Sequence, residues 1–220
     1  MTQMKSMAEL YTVIRNRRAT AHFKPTGIPI DILNEIFDLA RLAPSGYNLQ
    51  PWRFIVVRDE DNRRALQKAA MNQEKVSEAP VVIIACADTT SWKTDIDRVI
   101  DISMQKGAIP SAEIATMTKN NATQYLNSVD INVWATKQLM IAFTHIMLVA
   151  ESYGIDTAPM EGFIEDQVRE TFHIPTNMRV IALLAMGYRE GNDRPFPGRF
   201  ESSEVFFQES LSQGWTGRGS

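Results

Sequence analysis

Read for hydrophobic period, the chain divides into helical and extended segments. Residues 5–17 carry Leu10, Val13 and Ile14 at helical spacing, which predicts a first amphipathic helix. Over Ile30–Leu42, the residues Ile32, Leu33, Ile36, Phe37, Leu39 and Ala40 form a wide apolar stripe. Asp31 suits its first turn, and Pro44 stops it. Phe54–Val57 is a short β-branched run and reads as a strand, whereas Asp59–Ala70 opens with three acids and continues with helix formers. Val81–Cys86 is apolar without alternation, as in a strand buried on both faces. Residues 91–125 are polar and broken at Gly107 and Pro110, and no clear element emerges there.

Val129–Tyr153 carries the most architectural information. Apolar residues from Ile131 to Val149 surround this predicted helix on nearly every side. A helix of that kind lies in the middle of a large core or at a subunit interface, and in a chain of this size an interface is expected. Gly154 caps it, Asp156–Met160 is a short strand, and Ile164–Phe172 is a helix ended by Pro175. Arg179–Met186 is the last strong strand. Val205–Gln208 is a candidate for another, and Gly214–Ser220 reads as a frayed tail.

Composition narrows the class without changing this plan. The 220 residues hold 23 Lys+Arg against 26 Asp+Glu, with 44% hydrophobic and 22% charged residues, which is ordinary globular stock. The slightly acidic balance argues against nucleic acid as a partner. A single cysteine excludes an intramolecular disulfide framework, and the first 18 residues lack the apolar core of a secretory signal, so a cytoplasmic location is expected. The longest uncharged apolar stretches, Ala79–Ala87 and Gln138–Ala150, fall short of the roughly 20 residues of a membrane span, so no membrane is expected. Neither a dinucleotide fingerprint nor a P-loop is present, and the three histidines have no cysteine partner, so no metal site is expected. Cys86 sits within a predicted buried strand, where packing is its role. Any chemistry then falls to a bound cofactor.

Three segments could hold one. Arg15–Thr20 ends the first helix with adjacent guanidiniums that suit a phosphate, or that merely complement a helix C-terminus. Ala43–Trp52 concentrates short hydrogen-bonding side chains between two prolines, or is an ordinary connection. Pro159–Phe163 ends a strand with a glycine that would admit a planar ligand to the backbone, or is a turn.

Together these segments resemble the nitroreductase family of FMN-dependent oxidoreductases. The carriers are Arg17-Arg18-Ala19-Thr20-Ala21-His22-Phe23, the block Ala-Pro-Ser-x-x-Asn-x-Gln-Pro-Trp intact from Ala43 to Trp52, Asn72 with Lys75, the Pro-x-Glu-Gly turn and Gly187-Tyr188. The resemblance covers about residues 8–200, and the Ala43–Trp52 block is its specific part. It implies an α+β fold, a three-layer α/β/α sandwich on a mostly antiparallel sheet, assembled as an intertwined homodimer with two FMN sites at the interface. Residues 1–200 would form the single FMN-binding domain, and residues 201–220 an extension wrapping the partner, with Val205–Gln208 as a strand added to its sheet. By the same resemblance Arg17, Arg18, Ala19 and Arg199 belong at the phosphate and ribityl. Pro44, Ser45, Gly46 and Asn48 would come from the other subunit and line the ring system. Asn72 and Lys75 would face the pyrimidine edge, and Glu161 and Gly162 would offer backbone N–H groups to N5 and O4.

The resemblance further implies a ping-pong exchange: hydride enters at flavin N5 from NAD(P)H and leaves to an electron-poor acceptor, such as a nitroaromatic or a quinone. The protein supplies orientation and electrostatics, with no catalytic side chain. Residues 91–134 are expected to roof the pocket, with Tyr125 and Trp134 as aromatics that touch substrate or simply pack. Two positions depart from the pattern: Ala19 replaces the usual Ser, and Ala21 replaces the usual Arg or Lys. The first should weaken FMN, the second should shift its redox behaviour, and both leave the reduced substrate open. The alternatives within or beside the family are dehalogenation, enone reduction or a non-catalytic flavin-binding role.

Overall fold

A four-stranded antiparallel sheet of order β1-β2-β4-β3 organises the molecule, built from Trp52–Val57 (β1), Val81–Asp88 (β2), Asp156–Met160 (β3) and Met178–Gly187 (β4). The computed structural model describes residues 9–192 and 195–216. Every residue of β2 is buried, because both faces of the sheet are covered. On one face Val81, Ile83, Ala85, Leu184 and Met186 pack under helices α2 (Ile30–Ala40), α5 (Trp92–Gln105), α6 (Ala112–Ser128) and α7 (Ile131–Ser152). On the other, Val82, Ile84, Cys86, Leu183 and Ala185 pack under α3 (Glu60–Ala69), α4 (Glu74–Glu78) and α8 (Glu165–Thr171). Opposite parities of the strands thus feed opposite layers, giving the expected α/β/α sandwich, with a sheet that is antiparallel at every pairing.

The elements follow from local chemistry. Asp59 caps α3 by accepting from the Asn62 N–H at 2.9 Å, and Asp130 caps α7 by accepting from the Asn132 and Val133 N–H groups. The unassigned stretch 91–125 contains two helices. In α5 the buried residues Trp92, Ile96 and Ile100 recur every four positions. In α6 the buried face is Ala115, Ala122 and Leu126, too small to raise a periodic signal above its Thr and Asn neighbours. Gly107 and Pro110 fall in the turn between them.

The long helix α7 has 22 residues and contains an 18-residue window of mean hydropathy 1.3, which meets the length and composition of a membrane span that its separate uncharged stretch does not reach. It is a core helix: Trp134, Leu139, Phe143 and Ile146 are buried against α2 and the sheet. Its outer side still shows Val133 (53% exposed) and Ile141 (37% exposed).

The first helix, α1, is Leu10–Asn16, and residues 5–8 of the predicted span lie outside the described residues. Only Val13 of its apolar face is buried; Leu10 and Ile14 are exposed. Val205–Gln208 is not a strand of the sheet. Val205 closes a short helix α9 (Ser202–Val205), and the segment after it folds back on its own tail, Phe207 bridging Gly214 and the Trp215 N–H donating to the Phe206 carbonyl at 2.8 Å. Gly214 and Trp215 are therefore bonded rather than frayed, and Gly217–Ser220 lie outside the described residues.

Candidate active site

After α1 the chain crosses the edge of the sheet, and this crossing positions the first group of predicted residues. Ala19 bridges Thr157 on β3 in parallel, the Thr20 N–H donates to the Thr157 carbonyl at 3.0 Å, and Phe23 bridges Arg189. Four buried side-chain atoms lack a partner among the described residues, and three of them lie here: Arg17 Nη1, Thr20 Oγ1 and Thr157 Oγ1. Buried polar atoms are normally paired, so three orphans at one crossing leave bonding capacity that a polar ligand could take up. Beneath them, Glu151 in the last turn of α7 is half-buried. Burial pushes its carboxyl up, and the charge of Asp156 adds to this, against the opposing pull of Arg17, Arg189 and Arg18.

Ala19, Thr20, Ala21 and His22 then form one wall of a cleft of about 250 Å³ whose other wall is Gln73, Glu74 and Lys75. Lys75 thus stands across from the site of the absent family cation, Ala21. His22 Nδ1 lies 3.3 Å from the Glu78 carboxylate, which also accepts from the Phe23 N–H. The ligand atoms of His22, Glu74 and Glu78 lie within 4.8 Å of one another, a set that could reach one cation; two of the three residues are exposed.

The Glu161–Gly162 turn joins the same cleft through a residue that sequence reasoning missed. Gln73 Nε2 donates to the Gly162 carbonyl at 2.9 Å and to the Ala70 carbonyl at 3.2 Å, strapping the turn before α4 to the turn after β3. A Cβ on Gly162 would stand 3.4 Å from that amide nitrogen, in ordinary contact with it. Met71 and Asn72, beside Gln73, both have positive φ, at 55°.

Pro44, Ser45, Gly46 and Asn48 are gathered elsewhere. Ser45 Oγ accepts from the Gln50 N–H at 2.9 Å, leaving the Ser45 hydroxyl proton free to donate, while Gln50 Nε2 donates to the Asn48 carbonyl at 3.0 Å. The Gly46 N–H donates to Gln138 Oε1 at 2.8 Å, another contact unseen in sequence. Tyr47, Asn48 and Gln50 have φ of 54°, 56° and 47°. Five of the seven non-glycine residues with positive φ among the described residues therefore sit in the two loops around positions 47–50 and 71–72. Such strain concentrates where a ligand is held.

The aromatics separate. Tyr125 is 42% exposed with its ring 6.1 Å from that of Tyr47. Trp134 is only 3% exposed and backs the Gly46 turn, its indole nitrogen 3.3 Å from where a Gly46 Cβ would be, so the structure gives it a packing role and no face for a substrate. Arg18 and Arg199 both stack on the Phe196 ring, at 4.7 and 5.1 Å from its centroid, which brings Arg199 to the Arg17 end of the site. Cys86 is buried and its thiol is pushed up to about 11 by burial, which keeps it protonated and inert.

These residues fall into two groups toward opposite ends of α7. Gln138 anchors one and Glu151 underlies the other; 13 residues at 1.5 Å each separate them by about 20 Å. No hydrogen bond or ring contact joins the two among the described residues.

The model of the nitroreductase family matches residues 14–188, which spans all four strands and both groups of residues except Arg199. The chain belongs to the nitroreductase family. It is 34% identical over 177 residues to a Thermus thermophilus protein named NADH dehydrogenase, covering 80% of this chain and 85% of that one. It is 28% identical over 166 residues to the oxygen-insensitive NAD(P)H nitroreductase of Salmonella typhimurium, covering 70% and 76%. The crystal structure of a protein from Exiguobacterium sibiricum in complex with FMN has the same fold, with a TM-score of 0.83 at 24% identity, covering 94% of this chain and all of that one.

Proposed function

We propose that this nitroreductase-family chain is an FMN-dependent oxidoreductase that takes reducing equivalents from NAD(P)H and passes them to an electron-poor acceptor such as a nitroaromatic or a quinone. The observation that carries the reading is the cleft between Ala19–His22 and Gln73–Lys75, beginning two residues from the buried Arg17 guanidinium nitrogen that has no partner among the described residues. The residues present fit FMN. Arg17, Arg18 and Arg199 supply cationic donors for its phosphate, the Glu161–Gly162 turn supplies backbone close to the cleft, and Lys75 supplies a cation for the pyrimidine edge. The names of relatives, among them the Salmonella NAD(P)H nitroreductase, support the same reading.

When bound, FMN supplies hydride transfer between nicotinamide and acceptor. The chain's own residues bind and orient. Arg17 neutralises phosphate charge, and Gln73 holds the Gly162 backbone against the cleft. Lys75 favours negative charge at the pyrimidine edge, and the Ala19 backbone remains a hydrogen-bonding group where the family's Ser hydroxyl is missing. Tyr125 and Tyr47, exposed beside the Gly46 turn, offer rings on which a flat acceptor stacks.

In this reading the working unit is a homodimer, with each flavin site made from the Arg17 half of one chain and the Gly46 half of the other. A separation of about 20 Å within one chain supports this. So does exposed apolar surface: Leu10 (64%), Phe200 (77%), Phe206 (63%) and Leu211 (83%) would be costly to leave in water. The edge strand β1 is open, beside an apolar groove of about 350 Å³ lined by Phe37, Trp52, Phe54 and Ile146. Open edges in native proteins are usually covered, and residues 201–216 of a second copy are the proposed cover.

The experiment is spectroscopic. Purified protein should be yellow or take up FMN stoichiometrically, and NAD(P)H should bleach it under anaerobic conditions before a nitroaromatic or quinone restores the colour. Colourless protein that cannot be reconstituted overturns the reading; yellow protein that no pyridine nucleotide bleaches leaves a flavin binder without this turnover.

A further inference from the structure

Phe196 is a half-exposed aromatic flanked by Pro195 and Pro197, which restrict its backbone. Its ring is not used to fill the core. It carries the Arg18 guanidinium at 4.7 Å and the Arg199 guanidinium at 5.1 Å from one centroid. Two like charges on one ring repel each other, and neither arginine forms an ion pair with a carboxylate among the described residues. Their remaining bonds go to chain carbonyls: Arg18 Nη1 to Arg15 at 2.7 Å and Arg17 at 2.9 Å, and Arg199 Nη1 to Gly198 at 2.6 Å. Arg17, with its own orphaned Nη1, adjoins Arg18 in sequence. The acids of this region, Glu151 and Asp156, are engaged below: Asp156 accepts from the Arg189 N–H at 2.9 Å, and Glu151 faces Arg17, Arg18 and Arg189 together.

We propose that Phe196 is a positioning residue that gathers Arg18 and Arg199 into a clamp for a phosphate dianion beside Arg17. The inference rests on the FMN reading above and adds the device that brings Arg199, from beyond the sandwich, to the phosphate. The negative face of the ring offsets part of the repulsion between the guanidiniums until the anion arrives.

The test titrates FMN and riboflavin, which lacks the phosphate, into wild-type protein, Phe196→Leu and Phe196→Tyr. Leucine keeps apolar bulk without a π face; tyrosine keeps the face. The expected result is FMN affinity about three- to tenfold weaker in Phe196→Leu, with riboflavin affinity unchanged and Phe196→Tyr close to wild type for both. An unchanged FMN affinity in Phe196→Leu, an equal loss in both variants, or an equal loss for riboflavin overturns the clamp. Wild-type protein that holds FMN no better than riboflavin contradicts the phosphate site itself, a failure distinct from that of Phe196.

Discussion

Replacing Arg17 by alanine should weaken FMN and spare riboflavin, and the structure sets the size of the difference. Nη1 of Arg17 is buried without a partner among the described residues, so without a ligand it is a group taken from water with no compensation there. Phosphate would satisfy it through charge-assisted hydrogen bonds, worth roughly 1.5–3 kcal/mol. That corresponds to a loss of roughly ten- to hundredfold in FMN affinity at about 1.4 kcal/mol per decade. A second consequence concerns stability. Alanine removes the orphan, which favours the flavin-free variant, but it also removes one of the cations that oppose the rise of the half-buried Glu151. A carboxyl whose folded pKa is raised contributes stability below its unfolded pKa and loses it as pH rises through the folded value. Flavin-free Arg17→Ala should therefore compare best with wild type at acid pH, where Glu151 is protonated in both, and lose ground toward pH 7. Fluorescence titrations with both flavins, and thermal melts across pH, measure the two effects. Equal affinity losses for FMN and riboflavin would return Arg17 to the role of a charge at the end of a helix.

Lys75→Ala should lower the flavin reduction potential, because Ala21 and the pairing of His22 with Glu78 leave Lys75 as the main side-chain cation of the cleft. Ala21→Lys should raise it. One cation at about 4 Å with an effective dielectric near 20 gives at most about 4 kcal/mol, and about 30 mV corresponds to 1.4 kcal/mol for two electrons. Shifts of some tens of millivolts are expected by spectroelectrochemistry, and shifts of the same sign in both variants would remove Lys75 from the flavin. Deleting residues 201–220 should loosen the dimer and release flavin, seen by light scattering and filtration; a flavin-loaded monomer would refute this. Glu165 binds Arg179, Arg169 and the Val180 N–H; burial pushes its carboxyl up, but the Arg179 and Val180 hydrogen bonds and the two arginine charges together hold it below the usual value. A depressed carboxyl stabilises above its unfolded pKa and ceases to as pH falls through the folded one. Glu165→Gln should thus cost about 1–3 kcal/mol at pH 7 and progressively less below about pH 4, by denaturant titration; a pH-independent loss would deny the ion pairs their part.

Much of the fold was legible in the chain because one principle governed each readable element. The strands β2 and β4 announce themselves by unbroken apolar runs, since both of their faces are covered, and α7 by apolar residues on every side. The first helix was readable yet misleading by itself: Leu10 and Ile14 predict a buried face, and within one chain that face is exposed. The failures have other causes. Helix α6 buries alanines, whose small side chains give little periodic contrast, and the tail pairs with itself through backbone groups that carry no residue signature. Among site residues, charges and glycines gave signals, whereas Gln73 and Gln138 did not. A neutral amide acquires its role only when tertiary structure brings a distant backbone group, Gly162 or Gly46, within hydrogen-bond reach. Trp134 illustrates the reverse: an aromatic at a promising position, spent on supporting a turn.

The central claim is that each flavin site is completed across two subunits, and heterodimer complementation tests it most directly. Arg17→Ala damages one half-site; Gly46→Val damages the other, because a side chain there meets the Trp134 indole at 3.3 Å. Each variant alone should lose FMN at a concentration near the wild-type Kd. Co-refolded heterodimers would carry both lesions in one site and none in the other, so purified heterodimer should regain about half of the wild-type FMN loading. Heterodimers that bind no better than their parents would mean that each site is made from a single chain, and would contradict a site shared between subunits.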